Sequence, residues 1–137
     1  MLLDLQVEVQ GAKCDMAKKI LIVEDEILVG MMLKKRIESY GYEVCDIAST
    51  GHDAIEMAAR LKPELLVMDV SLPGEIDGVT AAKRIKEKQH VSVVFFTGNH
   101  RDENLISRSE EIDPVAILDK MGPFSEVIAA LKKGLLT

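Results

Sequence analysis

Ile20-Leu21-Ile22-Val23-Glu24-Asp25-Glu26 and Leu65-Leu66-Val67-Met68-Asp69 are the two stretches that decide the fold. Each is a short apolar run that ends abruptly in carboxylates. Runs of this length, apolar at successive rather than alternate positions, suit strands buried on both faces, as in parallel sheets covered by helices. In an open parallel sheet the carboxyl ends of the strands border the crevice where ligands bind. Two strands ending in acids would bring several negative charges onto one small site. Like charges at close range raise one another's pKa unless a cation neutralises them. Hard oxygen ligands at a partly hydrated site favour Mg²⁺. The pair of runs therefore reads as a divalent-cation pocket with a carboxylate available for chemistry.

The pattern alternates regularly on either side of these runs. Strands are predicted at Lys19–Val23, Tyr42–Ile47, Glu64–Asp69, Val91–Phe96 and Pro114–Leu118. Val29, Met32, Leu33, Ile37 and Tyr40 recur at three- and four-residue spacing, which predicts a helix stopped by Gly41. Thr50 with Asp53 resembles a capping box opening a helix that runs to Arg60. Helices are also predicted over Gly78–Lys88 and Asp102–Glu111, and a last one carries Phe124, Val127, Ile128, Leu131 and Leu135 on one face. Strands alternating with helices imply an α/β fold, a doubly wound parallel sheet with helices on both faces. The expected topology is flavodoxin-like, strand order 2-1-3-4-5, with the switch point between strands 1 and 3, the two that end in acids.

Length and composition set the outer bounds. A chain of 137 residues, 47% hydrophobic and 29% charged, suits one globular domain. Lys and Arg number 17 against 23 Asp and Glu, a net charge of −6, which argues against a broad footprint for nucleic acid or an anionic membrane. Cys14 and Cys45 form no CxxC or His/Cys cluster, so neither a disulfide framework nor structural zinc is expected. Cys45 reads as a small buried side chain, the Met31-Met32 pair and Met68 as core filling, and His52, His90 and His100 as solvated. No run approaches the ~18 apolar residues of a membrane span, and a cytoplasmic location is expected. Residues 1–17 are an N-terminal extension, in which Leu2, Leu3, Leu5, Val7 and Val9 could form a short strand or a partner contact; residues 18–137 form the domain.

Two further polar residues end strands on the acidic edge: Thr97 after Val93-Val94-Phe95-Phe96, and Lys120 just after Val115-Ala116-Ile117-Leu118. Acids, a hydroxyl and an ammonium together suit a phosphoryl group. A metal and the lysine neutralise its oxygens, the hydroxyl donates to one, and a carboxylate acts as nucleophile. Glu24-Asp25, Asp69, Thr97 and Lys120, at successive strand ends in this order, resemble the phosphorylation site of response-regulator receiver domains, the CheY-like family. The loop Asp69-Val70-Ser71-Leu72-Pro73-Gly74-Glu75-Ile76-Asp77-Gly78 resembles the family's loop after the third strand. The resemblance covers about Lys18 to Lys133.

The resemblance implies that Asp69 is the phosphoacceptor, that Asp25 binds Mg²⁺ directly and Glu24 through water, and that the Ser71 backbone carbonyl is a further ligand. It implies that Thr97 and Lys120 contact the phosphoryl group, while Ser71 and Asn99 tune its hydrolysis. The donor would be a phosphohistidine on a sensor histidine kinase or histidine phosphotransfer protein. The only chemistry implied is the chain's own phosphorylation and dephosphorylation. Output is expected through a downstream protein bound on the face made by the fourth helix, fifth strand and fifth helix, since little chain follows Lys133. Three departures from the family pattern stand out: a stretch from Pro73 to Asp77 one residue longer than usual, Ile117 where an aromatic is common, and Met121-Gly122 between Lys120 and Pro123. The last of these predicts a less constrained Lys120. Competing readings are a pseudo-receiver that binds partners without phosphorylation and an aspartyl-phosphate phosphohydrolase, which would carry a second acid where Ser71 stands. A flavodoxin is a third, but Glu24-Asp25-Glu26 would repel its phosphate.

Overall fold

The computed structural model describes residues 18–98 and 103–136. The extension at residues 1–17, with its possible short strand, lies outside them, as do Asn99, His100 and the expected helix start at Asp102. The elements run β1 (Lys19–Val23), α1 (Ile27–Glu38), β2 (Glu43–Ala48), α2 (Gly51–Leu61), β3 (Leu65–Asp69), α3 (Gly78–Lys88), β4 (Ser92–Thr97), α4 (Glu103–Glu110), β5 (Ala116–Asp119) and α5 (Phe124–Gly134). All strand pairings are parallel and the sheet order is β2-β1-β3-β4-β5, the flavodoxin-like arrangement expected.

Because side chains alternate across a strand, the sheet splits the core in two. Leu21, Val23, Leu66, Met68, Val93 and Phe95 point to the face covered by Ala54 and Ala58 of α2 and Val79, Ala82 and Ile85 of α3. Ile20, Ile22, Leu65, Val67, Val94 and Phe96 point to the face covered by Ile37 of α1 and Val127, Ile128 and Leu131 of α5. Burying both faces is what the continuous apolar runs required.

Local signals explain the helix ends. The Thr50 Oγ1 accepts the Asp53 N–H at 3.0 Å to cap α2, and Asp77 Oδ1 accepts the Thr80 N–H at 2.9 Å to cap α3. Strand limits differ from the sequence expectation by one or two residues. β4 keeps Thr97, which still pairs with Asp119. β5 starts only at Ala116, because Pro114 has no N–H for the ladder and Asp113 before it turns through φ 59°.

One expectation about the core is corrected. Met31 and Met32 do not fill it; they are 57% and 62% exposed, and Tyr40 falls beyond α1. The inner stripe of α1 runs through Gly30, Leu33 and Ile37 instead. It is set by Gly30, where a Cβ would stand 3.2 Å from the Ile47 side chain. Tyr40 lies beside the Phe124 ring at 5.9 Å, and the Arg36 guanidinium sits 3.9 Å over the same ring, joining α1 to α5. Cys45 is half-buried, with its thiol 3.4 Å from the Ile20 carbonyl, and burial pushes that thiol's pKa up. Among the described residues no helix is long and apolar enough to cross a membrane.

Among the described glycines, the one with least room for a side chain stands at the start of α3. A Cβ on Gly78 would stand 1.9 Å from the backbone oxygen of Asp69, and neither backbone can retreat from the core. Gly78→Ala is therefore expected to cost about 3 kcal/mol or more, measured as a shift in the urea unfolding midpoint. A loss below about 1 kcal/mol would show that this contact is not tight.

Candidate functional site

The sheet register assembles the site. Val23 pairs with Met68, so Glu24 and Asp69 leave the sheet side by side. Asp69 pairs with Phe96, putting Thr97 one step beyond it, and Thr97 pairs with Asp119, putting Lys120 one step further. Backbone bonds extend the ladder past the strand ends: the Glu24 N–H donates to Ala48 O at 2.9 Å, Val70 N–H to Phe96 O at 3.1 Å and Lys120 N–H to Thr97 O at 3.1 Å. Residues widely separated in the chain thus meet on one rim.

Glu24 and Asp69 are 2% and 3% exposed, and Thr97 is equally buried, while Asp25 stands in solvent. One carboxylate oxygen from each of Glu24, Asp25 and Asp69 lies within 4.8 Å of the others. The Lys120 ammonium is 3.0 Å from both Glu24 Oε1 and Asp69 Oδ2. The other oxygen of each acid is held by its own loop: Glu26 N–H donates to Glu24 Oε2 at 3.1 Å, and Ser71 N–H donates to Asp69 Oδ1 at 2.9 Å.

These contacts set the electrostatics. Burial pushes the Glu24 carboxyl above its ordinary range, against the pull of the Lys120 and Glu26 hydrogen bonds, and Asp69 adds to the rise. Burial likewise raises Asp69, opposed by Ser71 and Lys120 and assisted by the charge of Asp25. Burial alone would lower Lys120, but its two carboxylate partners win and raise it. Carboxylates that share a site and resist ionisation want more positive charge than one ammonium supplies. Three converging hard oxygen donors, one of them in solvent, fit a small divalent cation.

Glu24, Asp25, Asp69, Thr97 and Lys120 are therefore all brought to one rim, with Ser71 beside them. The inserted Met121-Gly122 does not displace Lys120. Asp119 Oδ1 accepts the Met121 N–H at 2.8 Å, and Asp119 O accepts the Gly122 N–H at 2.9 Å, closing the turn directly after the lysine. Ile117 is half-buried against the core face under α2 and α3. Sequence reading did not reveal Arg108. From α4 its guanidinium grips both oxygens of Asp77, at 2.7 and 3.3 Å, and the Thr80 hydroxyl at 3.1 Å. No spacing rule joins residues so far apart, and Arg108 lies on a short helix with a weak pattern. His52, taken as solvated, is exposed, with Nε2 3.1 Å from Glu75 Oε1 in the loop after β3.

Residues 20–132 match the response regulator receiver domain family. The chain belongs to that family. This receiver domain is 35% identical over 116 residues to the transcriptional regulatory protein PdtaR of Mycobacterium tuberculosis, over 84% of its own length and 55% of the relative's. It is 43% identical over 70 residues to the chemotaxis protein CheY of Thermotoga maritima, over 51% of its length and 58% of that protein's. The chain thus spans little more than half the length of these relatives. Among solved structures, the signal receiver domain of a modulated diguanylate cyclase from Desulfovibrio desulfuricans superposes with a TM-score of 0.80 at 27% identity, covering 85% of this chain and 92% of that one. The BeF3-activated receiver domain of Klebsiella pneumoniae RstA gives 0.79 at 29% identity, covering 88% and 100%.

The charge balance predicts the effect of removing the ammonium. Lys120 holds both carboxyls down, so Lys120→Gln should raise the titration midpoints of Glu24 and Asp69, followed by carboxyl carbon NMR. The wild-type ammonium, raised from 10.5, stabilises the fold fully below that value. That contribution is lost only as the pH climbs through its raised folded value. At neutral pH the variant should therefore be the less stable protein. Unchanged midpoints would mean that the ammonium is not seated between the acids.

Proposed function

We propose that this receiver domain is a phosphorylation switch of a two-component phosphorelay, with Asp69 as phosphoacceptor. The observation that carries the reading is the placement of the Lys120 ammonium at 3.0 Å from both Glu24 and Asp69, beside buried Thr97. An Asp69 oxygen attacks the phosphorus of a phosphohistidine on a sensor kinase or phosphotransfer protein. The P–O bond forms as the P–N bond breaks, and the imidazole leaves with the electron pair. Ser71 N–H and Lys120 hold the carboxylate's two oxygens in fixed directions, which orients the nucleophile without further reorganisation. Lys120 and the Thr97 hydroxyl then face the transferred oxygens.

Glu24, Asp25, Asp69 and the Ser71 carbonyl would hold Mg²⁺, which supplies charge neutralisation for the phosphoryl oxygens when bound. Asp69 must be ionised to attack, and burial raises its pKa. In the metal-free protein Asp69 should therefore titrate at a higher pH than an exposed aspartate. The intact turn after Lys120 favours this reading over a pseudo-receiver, because the departure from the family pattern leaves the ammonium among its partners. Ser71, where a second acid would stand, weighs against a phosphohydrolase.

The donor has to bring its imidazole to Asp69, so it must rest on the rim around the acids. That rim is apolar. Ile27 and Leu28 of α1 are more than two-thirds exposed, Met121 is almost fully so, and a groove of about 240 Å³ between α1 and α5 opens beside Lys120. The downstream partner is assigned to the face of α4, β5 and α5, which continues from Thr97 and Lys120.

Incubation with Mg²⁺ and acetyl phosphate should add the mass of one phosphoryl group to the wild type and none to Asp69→Asn. Equal incorporation in both would remove Asp69 from its role. In calorimetry, Asp25→Ala should weaken Mg²⁺ binding about tenfold or more, ~1.4 kcal/mol, and Glu24→Ala less. Undiminished affinity in Asp25→Ala would place the metal elsewhere.

A further inference from the structure

The start of α3 is pressed against the acceptor. Gly78 touches the Asp69 backbone carbonyl so closely that no Cβ fits, and the Gly78 N–H donates to Val70 O at 3.0 Å. Asp77, the residue just before it, fixes where this first turn sits, by capping Thr80 N–H. The Asp77 carboxylate is gripped from outside its own element by Arg108 of α4, through a two-pronged bond with further support at Thr80. Such planar forks fix direction as well as distance. Burial would raise the Asp77 carboxyl, but the guanidinium and the Thr80 donors win and hold it below its ordinary range. On its other flank the same loop rests on α2, where Ile76 lies against Gly51.

A path of direct contacts therefore runs from α4 through Arg108, Asp77 and Gly78 to the backbone of Asp69. The α4 helix follows Thr97 in the chain, and Thr97 is the hydroxyl assigned to the phosphoryl group. We propose that Arg108 is a positioning residue whose clamp on Asp77 holds the first turn of α3, and with it the acceptor, in the unphosphorylated arrangement. This rests on Asp69 being the phosphoacceptor. A clamp that is better made in the resting state opposes phosphorylation, and by linkage phosphorylation weakens the clamp to the same extent.

The test uses beryllofluoride with Mg²⁺ as a phosphoryl mimic, titrated against the whole chain by NMR. Arg108→Gln is expected to bind it about threefold tighter or better than wild type, the low end of couplings between contacting residues. Its affinity for Mg²⁺ alone should change less than its affinity for the mimic, because the clamp reaches the metal ligand Asp69 only through its backbone. Asp77→Asn keeps the cap but loses the charge partner, so it should shift the affinity the same way and covers the case in which Arg108→Gln folds poorly. The double variant should bind no tighter than either single one, since both act through one pair. A purely structural clamp would leave mimic affinity unchanged or weaken it along with Mg²⁺ binding, and either result overturns the proposal. Wild type that fails to bind the mimic at all would overturn the phosphoacceptor reading and this inference together. Normal wild-type binding with unaltered variants would overturn the clamp alone.

Discussion

One ammonium between two buried carboxylates organises this molecule's working edge. Glu24 and Asp69 are each almost wholly withdrawn from water, and two such charges at close range would expel each other or take up protons. Lys120 makes their proximity tolerable without abolishing it. Both acids still sit above their ordinary pKa range, so the site retains an unmet demand for positive charge. In the proposed switch a metal and a phosphoryl group would change that local charge balance, and the rim has charged and hydroxyl groups able to respond.

The fold was legible because its deciding segments are extreme. Ile20–Val23 and Leu65–Met68 have no polar residue to place in water, so only a sheet covered on both sides could use them. The site was legible for a related reason: at the ends of such strands Glu24, Asp69 and Thr97 interrupt an apolar pattern and so announce themselves. Lys120 was harder to place, since a lysine after a short edge strand is unremarkable until the register aligns Thr97 with Asp119.

Other features were opaque for definable reasons. Met32 falls in the three- and four-residue spacing that Val29 and Leu33 share with their neighbours, but the inner stripe of α1 is set by Gly30, a residue that carries no hydropathy signal. The approach of Gly30 to Ile47 rotates the methionines outward. Arg108 was invisible because its meaning lies in a partner across the helix layer. Sequence patterns report which face of an element is buried, and say little about which polar tips meet across two elements.

The placement of Lys120 just past the outermost strand also has a bearing on how the site is completed. Glu24 and Asp69 belong to adjacent strands in the body of the sheet, whereas their counter-ion arrives with β5, at the sheet's edge and late in the sequence. A nascent chain that has not yet released β5 from the ribosome has both acids but not the lysine that reconciles them. Closing the sheet early would therefore bury uncompensated charge, at a cost of several kcal/mol per ion.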